Sequence, residues 1–184
     1  MKATDILMEE HSVIERVLDT LEIAAERLEK GQPVRPGMFI EAADFIQGFA
    51  DGCHHKKEEG VLFPSMSAQG VPVQGGPIGV MLSEHEQGRI YTRAMRQAAE
   101  RLAKGDSQAS QEISQNARGY VALLRQHIFK ENNILFPMAN RVIPPDQQEK
   151  VAEDFEHIEH EETGEGVHEK YLALAGALEK ELQG

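Results

Sequence analysis

Apolar residues recur at intervals of three, four or seven along most of the chain, the spacing that places them on one face of a helix. A first helix opens at Thr4 or Asp5 and carries Leu7, Ile14, Leu18, Leu21, Ala25 and Leu28 inward until Gly31 and Pro33 stop it. A second opens near Pro36, with Phe39, Ile40, Ala43, Ile46 and Ala50 on its stripe, and should end at Pro64. Glycines and prolines between Ser65 and Pro77 predict a loop. A third helix, about 78–104, aligns Ile78, Met81, Leu82, Thr92, Met95, Ala99 and Leu102, and a fourth, about 107–140, aligns Ile113, Ala117, Tyr120, Leu124 and Leu135. Beyond Pro144-Pro145 the stripe weakens to Val151, Phe155, Ile158, Val167, Tyr171, Leu174 and Leu178, with Gly164 and Gly166 predicted to interrupt it. The expected fold is all-α: an antiparallel up-down four-helix bundle over residues 1–142, with an acidic C-terminal helical extension, 143–184, packed on it.

Each of the four stripes also holds a histidine: His11, His54, His85 and His127. The segment from His127 to Pro137, HIFKENNILFP, is a second copy of His54 to Pro64, HHKKEEGVLFP, matching without a gap at His, Lys, Glu, Leu, Phe and Pro. In each copy a histidine stands four residues before a glutamate, Glu58 or Glu131, so both side chains lie on one helix face, one turn apart. Taken singly, a histidine on an apolar face is usually a hydrogen-bonded core residue. Four together with two carboxylates are different, because a core gains no stability from buried polar groups unless something compensates them. A bound cation would do so, and bundle cores that hold two metals use His and Glu from facing helices.

Composition narrows the setting. With 184 residues the chain can bury one sizeable core. Its net charge of -12 argues against nucleic acid or an anionic membrane as partner and suits cations. Cys53 is the only cysteine, so an internal disulfide is impossible, and no apolar run has the length of a signal segment or a bilayer span. A cytoplasmic protein is expected. Cys53 itself is read as a small buried hydrophobe, and Tyr120 as core packing two turns before His127, within reach of a supporting role.

The pattern H…HxxxE…H…HxxxE resembles the hemerythrin-like (HHE cation-binding) family over about residues 4–140. The resemblance implies a four-helix bundle with two iron ions, oxo- or hydroxo-bridged, in which Glu58 and Glu131 bridge and His11, His54, His85 and His127 are terminal ligands. Imidazole and carboxylate donors leave Mn or Zn open as alternatives. The sequence departs from the oxygen-carrying members, which have two histidines one turn apart on the third helix, because Arg89 follows His85 at that spacing. Solvent, His55 or the His160-Glu161 segment then completes the site. A step of about 100° between helical neighbours turns His55 away from the His54 line, and His160 is added to the candidate ligands on the expectation that the acidic extension folds over the site.

The expected function is therefore a di-iron protein that binds or reacts with oxygen, peroxide or nitric oxide for sensing, storage or detoxification. The alternatives are a di-metal oxidoreductase that turns over peroxide or activates oxygen, and a regulatory interaction protein that the metal merely stabilises. No nucleophilic triad or phosphate-binding glycine loop is present in the sequence.

Overall fold

The computed structural model describes residues 2–183, with Glu162 described by its backbone alone, and among these residues the only regular structure is helical. Helix α1 spans Ala3–Glu29. A second arm begins with α2, Pro36–Phe45, passes through wide π-helical turns at Ile46–His55 and Glu58–Leu62, and finishes as α3, Phe63–Ala68. Helix α4, Pro77–Ala103, is followed by α5, Ala109–Lys130, a π turn at Glu131–Leu135, and α6, Phe136–Val142. The C-terminal stretch holds α7, Pro145–His157, a π turn at Ile158–Thr163, and α8, Val167–Gln183.

Pro64 is expected to end its helix. Instead it stands in the first turn of α3 directly after a π turn, as Pro137 does in α6. Proline lacks an N–H and crowds the carbonyl four residues back, and a preceding turn with i to i+5 bonding already departs from that ladder. The second arm therefore runs on to Ala68.

Helix α4 packs on α5 and α2, and α1 packs on α5 and α8, with α2 also touching α8. Two apolar cores result. One gathers Ile14, Leu18 and Leu21 with Phe39, Phe45, Phe49, Met95, Ile113, Tyr120 and Leu124; the other gathers Leu7, Leu62, Phe63, Met66, Ile78, Met81, Leu135 and Phe136. On every arm the candidate ligands lie between the two: His11 between Leu7 and Ile14, His54 and Glu58 between Ala50 and Leu62, His85 between Met81 and Met95, His127 and Glu131 between Leu124 and Leu135. A polar layer thus separates two oily ones.

The C-terminal helices belong to both cores. Val151 and Phe155 of α7 enter the second, and Ala175, Leu178 and Leu182 of α8 enter the first. Gly48 lets α8 approach, since a Cβ there would stand 1.9 Å from the Tyr171 hydroxyl. Gly164 and Gly166, at φ of 105° and 76°, make the break between the last π turn and α8 that the sequence predicts. No helix among the described residues is long and apolar enough to cross a membrane.

Candidate metal centre

Two groups of four donors interlock in the polar layer. His11, His54, Glu58 and Glu131 form one, and His55, Glu58, His85 and His127 the other; within each group the donor atoms all lie within 4.8 Å of one another, and all seven residues are buried. Glu58 belongs to both. Its Oε1 lies 3.6 Å from His54 Nε2 and its Oε2 3.3 Å from His85 Nε2. Glu131 spans the same gap, with Oε2 3.1 Å from His11 Nε2 and Oε1 3.1 Å from His127 Nε2. Of the residues named from sequence, His11, His54, Glu58, His85, His127 and Glu131 are brought together.

His160 is not. It is exposed, beside a surface groove of about 300 Å³ that it lines with Glu165 and Glu169, and Glu161 is exposed too. The π turn from Ile158 to Thr163 directs Glu159, not His160, toward the protein interior.

His55 takes the remaining place, against the expectation from α-helical geometry. It sits in the π-helical stretch Ile46–His55, whose wider turn narrows the angle between neighbours below the ~100° of an α-helix, so that His54 and His55 both face inward. The His55 ring stacks on His85 with centroids 3.8 Å apart. Burial, reinforced by the neighbouring histidines, pushes its pKa well below the usual imidazole range and keeps it an uncharged donor.

Each of the five imidazoles has Nδ1 tied to an oxygen: His11 to Asn132 (2.8 Å), His54 to Glu10 (2.8 Å), His55 to Asp51 (2.9 Å), His85 to Glu59 (2.8 Å) and His127 to Glu84 (2.9 Å). An Nδ1–H donated outward leaves the Nε2 lone pair facing in, the tautomer a metal ligand needs. Sequence reasoning missed most of these supports, yet a signal existed. Glu10 and Glu84 each precede a candidate histidine, and Glu59 and Asn132 each follow a candidate glutamate.

The supports obey the same internal echo. Glu10, Glu59 and Glu84 each hold the histidine of the next arm, and Asn132 on the last arm holds His11 on the first, closing the ring. Lys57 bonds Glu10 as Lys130 bonds Glu84. Phe63 stacks on His85 as Phe136 stacks on His11, so aromatic rings and the buried Leu62 and Leu135 close the layer. The echo fails at His55, whose counterpart is Ile128.

Left to itself this layer is electrostatically unbalanced. Nε2 of His11 and His54, and both carboxylate oxygens of Glu58 and of Glu131, are buried with no hydrogen-bond partner. Their short contacts set lone pair against lone pair once Nδ1 carries each ring's proton. Each such group costs about 1–3 kcal/mol when unsatisfied. Protons are one remedy: although burial opposes charge on His127, Glu131 and Glu84 raise its pKa to about 10, and Glu131 is held far below the usual carboxylate range by His127 and His11. Cations are the other, and the donor set fits them: imidazole and carboxylate at the spacing of two ions sharing carboxylates.

A family model described as the hemerythrin HHE cation binding domain matches residues 2–139, the stretch that carries all of these donors. The chain belongs to that family. Among its relatives, the uncharacterized protein Rv1995 of Mycobacterium tuberculosis is 26% identical over 180 residues, 98% of this chain and 70% of the relative. The uncharacterized protein Mb2018 of Mycobacterium bovis matches to the same extent. The iron-sulfur cluster repair protein YtfE of Dickeya chrysanthemi is 29% identical over 121 residues, which is 64% of this chain and 55% of that protein.

Tyr120 and Cys53 stand outside the donor groups just described. Tyr120 packs in the first core against Gly88, its hydroxyl buried without a partner and its pKa driven well up by burial. Cys53 is buried, and burial pushes its thiol up to about 11.

Proposed function

We propose that this hemerythrin-family chain holds two iron ions in the polar layer of an up-down four-arm bundle and uses them to bind or react with a small oxidant: oxygen, peroxide or nitric oxide. The observation that carries the reading is the pair of interlocked donor groups sharing a buried glutamate, with their lone pairs otherwise unsatisfied. In this reading Glu58 and Glu131 would be shared by the two ions, His55, His85 and His127 would hold one, and His11 and His54 the other.

Donor counting then distinguishes the two ions. The His11 and His54 side has one imidazole fewer, so an iron held there would be the one available to an external ligand. The iron supplies reversible ligand binding and electrons. The protein supplies five oriented imidazoles, two bridging carboxylates and a dry surround of Phe63, Phe136, Leu62 and Leu135. The deciding experiment is metal analysis of the purified chain with absorption spectra before and after oxygen, azide and peroxide. Two irons per chain, with charge-transfer bands that respond to the added ligand, are expected. A chain that takes up no transition metal in stoichiometric amount overturns the reading.

A second reading draws on YtfE, whose name assigns it to iron-sulfur cluster repair. The similarity to YtfE extends over 121 residues, so release of iron to a damaged cluster is the natural rival to oxidant binding. Transfer of iron from the loaded chain to a cluster-depleted acceptor separates the two.

A further inference from the structure

The two halves of the centre are supported alike up to one point. Lys130 reaches Glu84, which holds His127, and among the described residues the chain of contacts ends there, with the lysine side chain 32% exposed. Lys57 reaches Glu10, which holds His54, but its side chain is 0% exposed and its Nζ donates a further bond of 2.8 Å to Glu159 Oε2. Glu159 comes from the π turn after α7, and its other oxygen lies 3.6 Å from His168 Nδ1 on α8. Cys53 completes the group: one donor atom each from Glu10, Cys53, Glu159 and His168 lie within 4.8 Å of one another.

These four donors have the composition of a metal site, yet a cation is already among them. The Lys57 ammonium bonds both carboxylates, so a metal ion would have to displace a covalently held charge. A buried ammonium of this kind is compensated only while its partners are in place. Its four-carbon stem is flexible, and the carboxylates, not the stem, fix where it sits. Glu10 in turn fixes the tautomer and the tilt of His54.

We infer that Glu159 is a positioning residue for the His54 side of the metal centre, acting through Lys57 and Glu10, so that the C-terminal helices control one of the two ion positions and not the other. This rests on the di-metal reading above. Loss of Glu159 leaves Lys57 with one carboxylate where two held it, draws Glu10 off its line to His54, and loosens the ion on that side. Among the described residues, the carboxylates that hold His55, His85 and His127 are Asp51, Glu59 and Glu84, and none of them bonds Glu10, Lys57 or Glu159.

The test uses the full chain loaded with Co(II), whose visible bands report each ion, and follows extraction by a chelator in wild type, Glu159→Gln and Lys57→Met. Wild type must first hold two ions; if it holds none, the metal reading itself is wrong and the inference goes with it. Given two ions, both variants should lose one of them about ten-fold faster than wild type, in the range that supporting residues exert on metal affinity, and the other at the wild-type rate. Unchanged extraction, or equal acceleration of both ions, overturns the inference. So does a drop in the unfolding midpoint of the metal-free variants with no selective loss, since that marks Glu159 as a clasp for the C-terminal helices alone.

Discussion

Arg89 shows how a single position can be reassigned without losing the chemistry around it. It stands one turn after His85, where a further histidine was sought, and its guanidinium instead lies 3.4 Å from Asp51 Oδ1 and 2.7 Å from Glu59 Oε1. Asp51 holds His55 and Glu59 holds His85, so one cation ties together the supports of two stacked imidazoles. Burial pushes the Asp51 carboxyl up to about 6, and Arg89 is the main force keeping it from rising further. The imidazole that α4 does not place in the polar layer comes from the neighbouring arm as His55. Replacing His55 with Ala should therefore leave roughly one ion per chain after desalting, measured by metal analysis; retention of both would remove His55 from the ligand set. Arg89→Leu should weaken the ion on the same side by about ten-fold, read as the chelator concentration that strips it. It should do so more severely at pH 6 than at pH 8, because Asp51 without its cation protonates more readily.

At the scale of the element, periodicity made the arms legible and hid the turns within them. Leu7, Ile14 and Leu18, or Ile113, Ala117 and Leu124, repeat on the helical face whatever the local winding, and so they located the helices to within a few residues. Nothing in residues 46–55 distinguishes a π from an α turn by type, since the choice is made by what the side chains meet after packing. That is why helical spacing alone predicts an outward His55 and a stop at Pro64. The C-terminal stretch was harder still, because its weak stripe gave no way to tell which of Glu159, His160 and Glu161 turns in. Docking of α8 depends on a small residue at Gly48, where any Cβ would collide with Tyr171. Gly48→Ala should lower stability by about 1–3 kcal/mol, the cost of forcing a packed contact apart. Adding Tyr171→Ala should recover part of that loss, a coupling that a double-mutant cycle in denaturant measures.

At the scale of the molecule, the duplicated His-xxx-Glu arms set a polar layer between two apolar cores, and folding must neutralise that layer by protons or by metal. In the metal-free chain the burden falls on groups such as His127, raised to about 10 against 6.5 for a free imidazole, because Glu131 and Glu84 outweigh the burial that opposes its charge. A group whose pKa is higher in the folded state contributes its full stability below 6.5 and loses it as pH climbs toward 10. The metal-free unfolding midpoint should accordingly decline as pH rises from 6.5 to about 10. On the acid side Glu10, held at about 2 against 4.5, contributes fully above 4.5 and loses that contribution as pH drops toward 2, so a second decline is expected there. Metal changes the alkaline limb. An ion bound at the inward-facing nitrogens takes the place of the protons, so its uptake releases protons and its apparent affinity rises with pH. At a thousand-fold excess over Kd the gain is about 4 kcal/mol, roughly 10 °C for a chain of this size. Thermal melts across this range, with and without metal, should show two curves that diverge as pH rises; parallel curves would mean that His127 does not exchange its proton for an ion.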